Sequence, residues 1–203
     1  MKNNFDIIIP PMPQESAIIA LLDAHSVPLA LWGAWENRSL DDFLKSLTKD
    51  KVFIRNSICQ QLVIDVHTAV VVVLHQFRGK WLELYEDHQL FPDGSVLRRT
   101  SFNGVGETLK RYEKIRDGAI RCLAEELSFK NQSLYNLSKC LGVERREPVN
   151  SEKWPGIKAA YHRYFFECTI ARPLYCPNGY MEHKGGRKIF FKWKPFKQEQ
   201  LNL

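Results

Sequence analysis

The chain has 203 residues, 44% hydrophobic and 26% charged, and this balance excludes a disordered or fibrous protein. Its length allows one sizeable core, or one domain with an extension. The formal net charge is +6, and the basic residues are clustered along the sequence. Such clusters indicate either binding of phosphate-bearing ligands, from nucleotides to RNA, or a basic surface that is simply solvated.

Targeting signals are not evident in the sequence. The short apolar run near the start is broken by Pro10, Pro11 and Pro13, and no apolar stretch approaches the ~20 residues that a membrane span needs. The five cysteines form no CxxC pair, and an odd count favours reduced thiols. We therefore expect a cytoplasmic protein that does not contact a membrane.

The first part of the chain predicts an extended arm and two helices. Residues 1–13 read as a strand or arm that ends at the prolines, and Gln14 to Ala24 carries apolar residues at helical spacing. Ser39 is a predicted N-cap of a second helix, with Asp42 three residues later.

The centre of the chain predicts a strand pair. Leu62 to Leu74 is rich in β-branched residues, and its continuous apolar run indicates burial on both faces. A turn through Gly79 leads to a returning strand at Trp81 to Tyr85, and Phe91 to Gly94 is a second predicted turn.

The remainder of the chain predicts one long helix between loops and strands. In order, these are a loop at Gly104-Val105-Gly106, a helix from about Glu107 or Glu113 to Leu127, a strand at Lys158 to Ile170, a loop at Arg172 to Gly186 and a strand at Lys188 to Trp193. Basic and aromatic residues mix from Lys184 to Trp193. They indicate either a surface that stacks bases and holds phosphates or a half-buried strand with alternating faces, and we favour the strand.

The predicted helix places two neighbouring carboxylates, Glu125 and Glu126, on one arc with Cys122, and Arg121 lies one turn before Glu125. Two carboxylates that point together repel each other unless a positive charge lies between them. A hard cation such as Mg²⁺ takes oxygen ligands and binds with one or two carboxylates plus substrate phosphates. On the other hand, such pairs also occur on ordinary exposed helix faces.

This segment resembles the Nudix box, in which a glycine, a glutamate and an Arg-Glu-apolar-x-Glu-Glu-x-Gly-apolar run follow at fixed spacing. The positions in register are Glu113, Arg121, Leu123, Glu125, Glu126 and Phe129. Three positions depart from the pattern: Cys122 replaces a glutamate, Ser128 replaces the late glycine, and Glu107 stands where the loop glycine belongs, with Gly106 one residue early.

The resemblance implies an α/β (α+β) fold of the Nudix type, a mixed-sheet α/β/α sandwich, over residues 61–203, with an N-terminal helical extension over residues 1–60. It also implies Mg²⁺ (or Mn²⁺) held by Glu125 and Glu126, Arg121 orienting them and Glu113 supporting the junction between loop and helix. For substrate binding we expect Gly104, Gly106, Arg98 and Arg99. A carboxylate from elsewhere has to replace the one lost at Cys122, and the candidates are Glu83, Glu86, Asp87 and Glu182.

Two functions follow from the resemblance, and a third is weaker. The first is metal-assisted hydrolysis of a nucleoside-diphosphate-linked or other organic diphosphate. The second is a module without turnover that binds a phosphorylated ligand, nucleic acid or a protein partner, a homodimer included; Cys122 favours it because a thiol is a poor Mg²⁺ ligand. The third, a diphosphate isomerase, shares the missing glutamate, but no segment matches the cysteine motif of those enzymes.

Overall fold

A computed structural model describes residues 14–34, 37–48, 53–56, 61–98, 104–110 and 112–197. The arm expected at residues 1–13 lies outside these ranges, and so does Arg99, one of the expected substrate-binding residues. The helices are α1 (Glu15–Ala24), α2 (Leu40–Thr48) and α3 (Ile115–Leu127). The strands are β1 (Phe53–Asn56), β2 (Leu62–Phe77), β3 (Lys80–Leu90), β4 (Val96–Leu97), β5 (Val105–Thr108), β6 (Tyr135–Leu137), β7 (Gly142–Arg145), β8 (Val149–Asn150), β9 (Lys158–Ile170), β10 (Tyr180–Lys184) and β11 (Arg187–Pro195).

The chain forms two compact units. The first unit holds the described residues within 14–67, 108–112 and 144–162, and the second unit holds those within 68–107, 113–143 and 163–197. The division expected at residue 60 stays a prediction, because residues 57–60 are outside the described ranges.

The first unit contains α1 and α2 over an aromatic core. The ring of Phe43 is fully buried and meets Trp32 and Trp154 edge-on, with ring centroids 5.1 Å and 5.2 Å apart. Ile18 and Leu22, one helical turn apart on α1, belong to this core, and both were among the apolar residues at helical spacing in the sequence. Ser39 and Asp42 form the predicted capping box: each accepts a hydrogen bond from the backbone amide of the other.

The second unit contains most of the sheet, in the order β10-β11-β3-β2-β9-β6. The β2–β3, β3–β11, β10–β11 and β6–β9 pairs are antiparallel. Within the first unit His162 of β9 lies beside Asp65 of β2, and within the second Ile170 lies beside His75, so β2 and β9 run in the same direction. The sheet is therefore mixed, and the predicted mixed α/β class is confirmed.

Several boundaries differ from those predicted. Gly104-Val105-Gly106 is not a loop throughout, since β5 begins at Val105, and α3 begins at Ile115, so the helix start considered at Glu107 is wrong. The predicted loop from Arg172 to Gly186 contains β10. In β11, Ile189 and Phe191 are buried while Lys188 and Lys192 are exposed, which is the half-buried strand that we favoured.

Candidate active site

Helix α3 separates the two neighbouring glutamates of the box. Glu126 lies on the buried face with Cys122 and Leu123, and it is 5% exposed, whereas the Glu125 side chain is 50% exposed. The expectation that Cys122 shares the polar arc with Glu125 is therefore wrong. Residues 122 and 126 are four apart and fall on one face of a helix, so the burial of one accompanies that of the other.

Arg121, in the middle of α3, binds a residue that precedes the helix. Its Nε and Nη2 donate to the two carboxylate oxygens of Glu113, both at 2.8 Å, and its Nη1 donates to Glu125 at 3.0 Å. Two parallel hydrogen bonds between a guanidinium and a carboxylate are strong and directional. This bidentate pair links Glu113, two residues before the start of α3, to the helix. The resemblance gives Glu113 the same role, support of the junction between loop and helix. The hydrogen bonds to Glu113 also raise the pKa of Arg121, so its charge is permanent.

A second cluster forms on the other side of Glu126, around the ammonium group of Lys184. Lys184 Nζ donates to Glu107 at 2.7 Å and to Glu126, and it lies 3.6 Å from Glu182 Oε1. Glu107 comes from β5, Glu126 from α3, and Glu182 and Lys184 are two residues apart on β10. Alternate residues of a strand share a face, so β10 presents both side chains to the same place.

The carboxylates of this cluster are buried far more deeply than is usual for glutamates. Glu107 and Glu126 are each 5% exposed and Glu182 is 9% exposed. Burial raises the pKa of Glu126 to about 9, and its hydrogen bond with Glu182 adds to the effect, while Lys184 opposes it. Two carboxylates this close are costly to ionise together, which favours the protonated form of Glu126.

The thiol of Cys122 is buried near the same carboxylates. Burial raises its pKa well above the usual value, and the nearby carboxylates of Glu126 and Glu107 act in the same direction. A thiol held in its neutral form is neither a nucleophile nor a metal ligand. Cys122 therefore fills volume on the buried face of α3 and does not supply the chemistry of the glutamate that the Nudix pattern has there.

Glu182 is the residue of the four candidate replacements whose carboxylate joins the cluster. Its three alternatives lie on β3 and have other partners: Glu83 contacts Lys194 at 3.1 Å, Asp87 contacts Lys192 at 2.9 Å, and Glu86 accepts from Gln89 at 2.7 Å. One of the four candidate carboxylates therefore lies beside Lys184, and its role as a metal ligand stays a prediction.

Three of the four expected substrate-binding residues, Arg98, Gly104 and Gly106, are among the described residues. Gly104 has a φ of +98°, and a Cβ atom there would come within 2.3 Å of the Val71 carbonyl oxygen, so the close approach to β2 requires glycine. Gly106 is half-buried within β5. Arg98 is exposed, and its guanidinium lies 3.5 Å from Asp87.

Two members of the cluster were not expected from the sequence. Glu107 stood out only as a departure from the Nudix pattern, and Lys184 only as one of many basic residues. The available signal was the spacing Glu182-x-Lys184 directly before the pair Gly185-Gly186, which places an acid and a base on one face of a strand that ends in a tight turn.

The donor chemistry of the cluster suits a hard divalent cation. Glu107, Glu126 and Glu182 offer carboxylate oxygens, the ligands that Mg²⁺ and Mn²⁺ take, and together they exceed the single charge of Lys184. In the described part of the chain, no three His, Cys, Asp or Glu side chains are placed so that they could hold a metal ion together. The residues fit a cation on the condition that Lys184 moves away.

Comparison with known proteins identifies distant structural neighbours only. No family model matches the chain, and no curated protein sequence matches it. Among solved structures, the chain is similar to an Ap4A hydrolase from C. elegans (13% identity, 64% of this chain and 79% of that one, TM-score 0.36). It is also similar to the NUDIX domain of Shewanella oneidensis NrtR complexed with ADP ribose (12%, 64% and 73%, 0.41), and to the E. coli dihydroneopterin triphosphate pyrophosphohydrolase (17%, 64% and 80%, 0.41).

These neighbours include Nudix proteins, the family whose box this sequence resembles. At TM-scores this low, the likenesses carry no argument about the activity of this chain. No described helix is long and apolar enough to span a membrane.

Proposed function

We propose that the chain is a Mg²⁺- or Mn²⁺-dependent hydrolase of a nucleoside-diphosphate-linked or other organic diphosphate. The observation that carries the proposal is the convergence of three buried carboxylates, from β5, α3 and β10, on one cation. Buried carboxylates are costly, and three of them share one ammonium, with the Arg121 guanidinium 3.7 Å from Glu107 as a further positive charge. Such a cluster is typical of a site that is built for a larger positive charge.

In this proposal Glu107, Glu126 and Glu182 hold the cation, and Glu125, the second ligand expected from the sequence, stays a candidate at the exposed rim. A bound divalent ion supplies a Lewis acid that neutralises charge on the diphosphate and lowers the pKa of water. Arg121, locked on Glu113, keeps α3 in register with the loop before it, so that Glu126 faces the cluster. Preorganised ligands of this kind avoid reorganisation during the reaction.

For substrate recognition, the proposal keeps the basic and glycine-containing segments that the sequence indicated. We propose that Arg98 and Arg99 contact the phosphates and that the backbone at Gly104 and Gly106 lies close to the ligand. A cytoplasmic, phosphorylated small molecule is the substrate class that these groups suit, since guanidinium groups pair with phosphate oxygens.

The test is a turnover assay with a matched pair of variants. Purified protein with Mg²⁺ or Mn²⁺ is incubated with nucleotide sugars, dinucleotides, diphosphate-linked cofactors and capped RNA, and cleavage of the phosphate bond is measured. We expect Glu126→Gln to lower turnover roughly a hundredfold or more, because it removes a buried ligand worth several kcal/mol of charge stabilisation.

Glu125→Gln is the comparison, because it makes the same change one residue away on the same helix. We expect a smaller loss from it, since the Glu125 carboxylate is already paired with Arg121. Equal losses in both variants would instead restore the Glu125 and Glu126 pair as the metal ligands. Absence of turnover together with absence of Mn²⁺ binding would contradict the hydrolase.

A second function, binding without turnover, is favoured by a separate observation. Cys122 supplies no carboxylate, and Lys184 already provides a positive charge to the cluster. In this second function, the protein binds its ligand and leaves it intact. The ligand is a phosphorylated small molecule, a nucleic acid or a second protein chain. Thermal stabilisation by a panel member that remains uncleaved supports this function.

A further inference from the structure

We propose that Lys184 is a built-in competitor of the divalent ion: its ammonium occupies the metal position and has to withdraw before a metal binds. The proposal rests on the proposed metal site and adds its regulation. It assigns to one side chain of β10 the control of metal affinity, and hence of the fraction of protein that is ready to act at a given metal concentration.

The first support is the position of the ammonium. Lys184 Nζ donates to Glu107 and to Glu126 and lies 3.6 Å from Glu182, so it contacts a carboxylate from each of three elements. A cation held by the same three carboxylates needs the same place. Two positive charges cannot share it, because like charges at this distance repel strongly in a buried site.

The second support is a buried oxygen that the ammonium leaves unsatisfied. With Glu126 ionised, Glu182 Oε2 accepts no hydrogen bond from the described residues, although Glu182 is only 9% exposed. A buried acceptor without a donor costs free energy unless a proton or a cation is supplied. A neutral Glu126 carboxyl or an entering cation meets this need, whereas Lys184 does not.

The third support is that Lys184 has a short way out. Its side chain is 38% exposed, so it contacts solvent although the carboxylates that it binds are buried. The next two residues, Gly185 and Gly186, have φ values of +58° and +79° and form the tight turn between β10 and β11. A lysine side chain has four rotatable bonds, and rotamer changes alone carry its end from the cluster into water.

A purely structural salt bridge makes the opposite prediction. If Lys184 only stabilised the buried carboxylates, its removal would destabilise the protein and would bring no gain in metal affinity. The two interpretations therefore separate in one titration of Mn²⁺ alone, without any substrate.

The experiment compares Mn²⁺ binding to the full chain, by calorimetry and by electron paramagnetic resonance, in the wild type, Lys184→Met and Lys194→Met. We expect Lys184→Met to bind Mn²⁺ about tenfold more tightly or better, since it removes a full charge from the site. Lys194 is the matched control, because it too contacts a buried glutamate, Glu83 at 3.1 Å, and its side chain is 33% exposed. Its replacement should leave the Mn²⁺ affinity unchanged.

A measurement on the wild type keeps the test valid if Lys184→Met folds poorly. Protein with ¹³C at the lysine Cε position is titrated with Mg²⁺, and the Lys184 resonance, assigned with Lys184→Arg, should shift as the ammonium leaves the carboxylates. Metal binding to the wild type with an unchanged Lys184 resonance, or with no gain in Lys184→Met, overturns the competition while the metal site stands. Absence of metal binding in both the wild type and Lys184→Met overturns the site and the competition together.

Discussion

At the scale of single residues, neighbours in the sequence have opposite surroundings. Glu125 and Glu126 look equivalent in the box, but one pairs with Arg121 at the surface and the other with Lys184 in a buried cluster. The sequence predicted the contact of Arg121 with Glu125, because that pair is local and needs only helical spacing. It did not predict the contacts of Lys184 with Glu126 and Glu107, because these residues are 58 and 77 positions away from Lys184 along the chain.

Cys122 stands where the Nudix pattern has a glutamate, and restoring the glutamate tests whether a carboxylate at this position helps to bind a metal ion. Cys122→Glu adds a carboxylate to a fully buried position beside Glu126 and Glu107. Without metal we expect the variant to lose roughly 3 kcal/mol or more of its free energy of unfolding, because the new charge has no partner. Added Mn²⁺ should recover much of this loss, and the melting temperature with and without Mn²⁺ measures both effects.

Cys122→Gln serves as the control, since it has a similar size and no charge. It should lose stability in the same way but gain little from Mn²⁺. If Mn²⁺ raises the melting temperature of Cys122→Glu no more than that of Cys122→Gln, the cluster around Lys184 does not bind the ion.

At the scale of elements, long periodic segments were predictable and short ones were not. β9 runs from Lys158 to Ile170, the bounds that its β-branched and aromatic residues predicted, and α1 and α2 are where their apolar spacing placed them. β5 was missed, because its four residues follow a glycine that packs against the backbone of β2. β10 was missed as well, because its apolar signal is confined to Tyr180 and Met181.

The end of α3 offers a prediction of its own. Ser128 has a φ of +62° and a ψ of 24°, the left-handed conformation that follows many helices, and the Phe129 amide donates to the Leu123 carbonyl at 3.1 Å. The Nudix pattern has glycine at this position, which adopts a positive φ without steric cost. We expect Ser128→Gly to raise the free energy of unfolding by about 0.5–1 kcal/mol, measured by urea denaturation.

Ser128→Ala distinguishes this cause from loss of the hydroxyl. Alanine also lacks the oxygen but keeps the Cβ atom that disfavours a positive φ. A gain of equal size in both variants would show that the backbone conformation is not the reason.

At the scale of the whole molecule, the class of fold followed from the sequence, but no sequence pattern indicated which distant segments pack together. Strands before and after one long helix predicted a mixed α/β protein, as the structure has it. The first unit, however, combines the helices near the N-terminus with residues 144–162. Trp154 reaches the Phe43 core across more than 100 positions, and periodicity within a short window contains no information about such a pairing.

The first unit also carries a pH response that the sequence did not indicate. His67 and His162 stack with ring centroids 4.5 Å apart, and His162 Nε2 lies 3.3 Å from Asp65. Burial lowers the pKa of His67 to about 4, the neighbouring His162 acts in the same direction, and Asp65 opposes them. The folded protein therefore protonates His67 at a lower pH than the unfolded chain does.

The sign of the effect on stability follows from this difference. Above pH 6.5 both states hold neutral His67, and its contribution to stability is complete. Between pH 6.5 and 4 the unfolded chain takes up a proton that the folded protein refuses, so stability falls by at most about 1.4 kcal/mol per pH unit. His67→Phe keeps a flat ring for the stack with His162 and removes the titration, so urea midpoints measured from pH 7 to 4.5 should fall less steeply. His183→Gln, an exposed change in the second unit, is the control, and equal slopes in the wild type and His67→Phe would show that His67 does not set the acid limit of this fold.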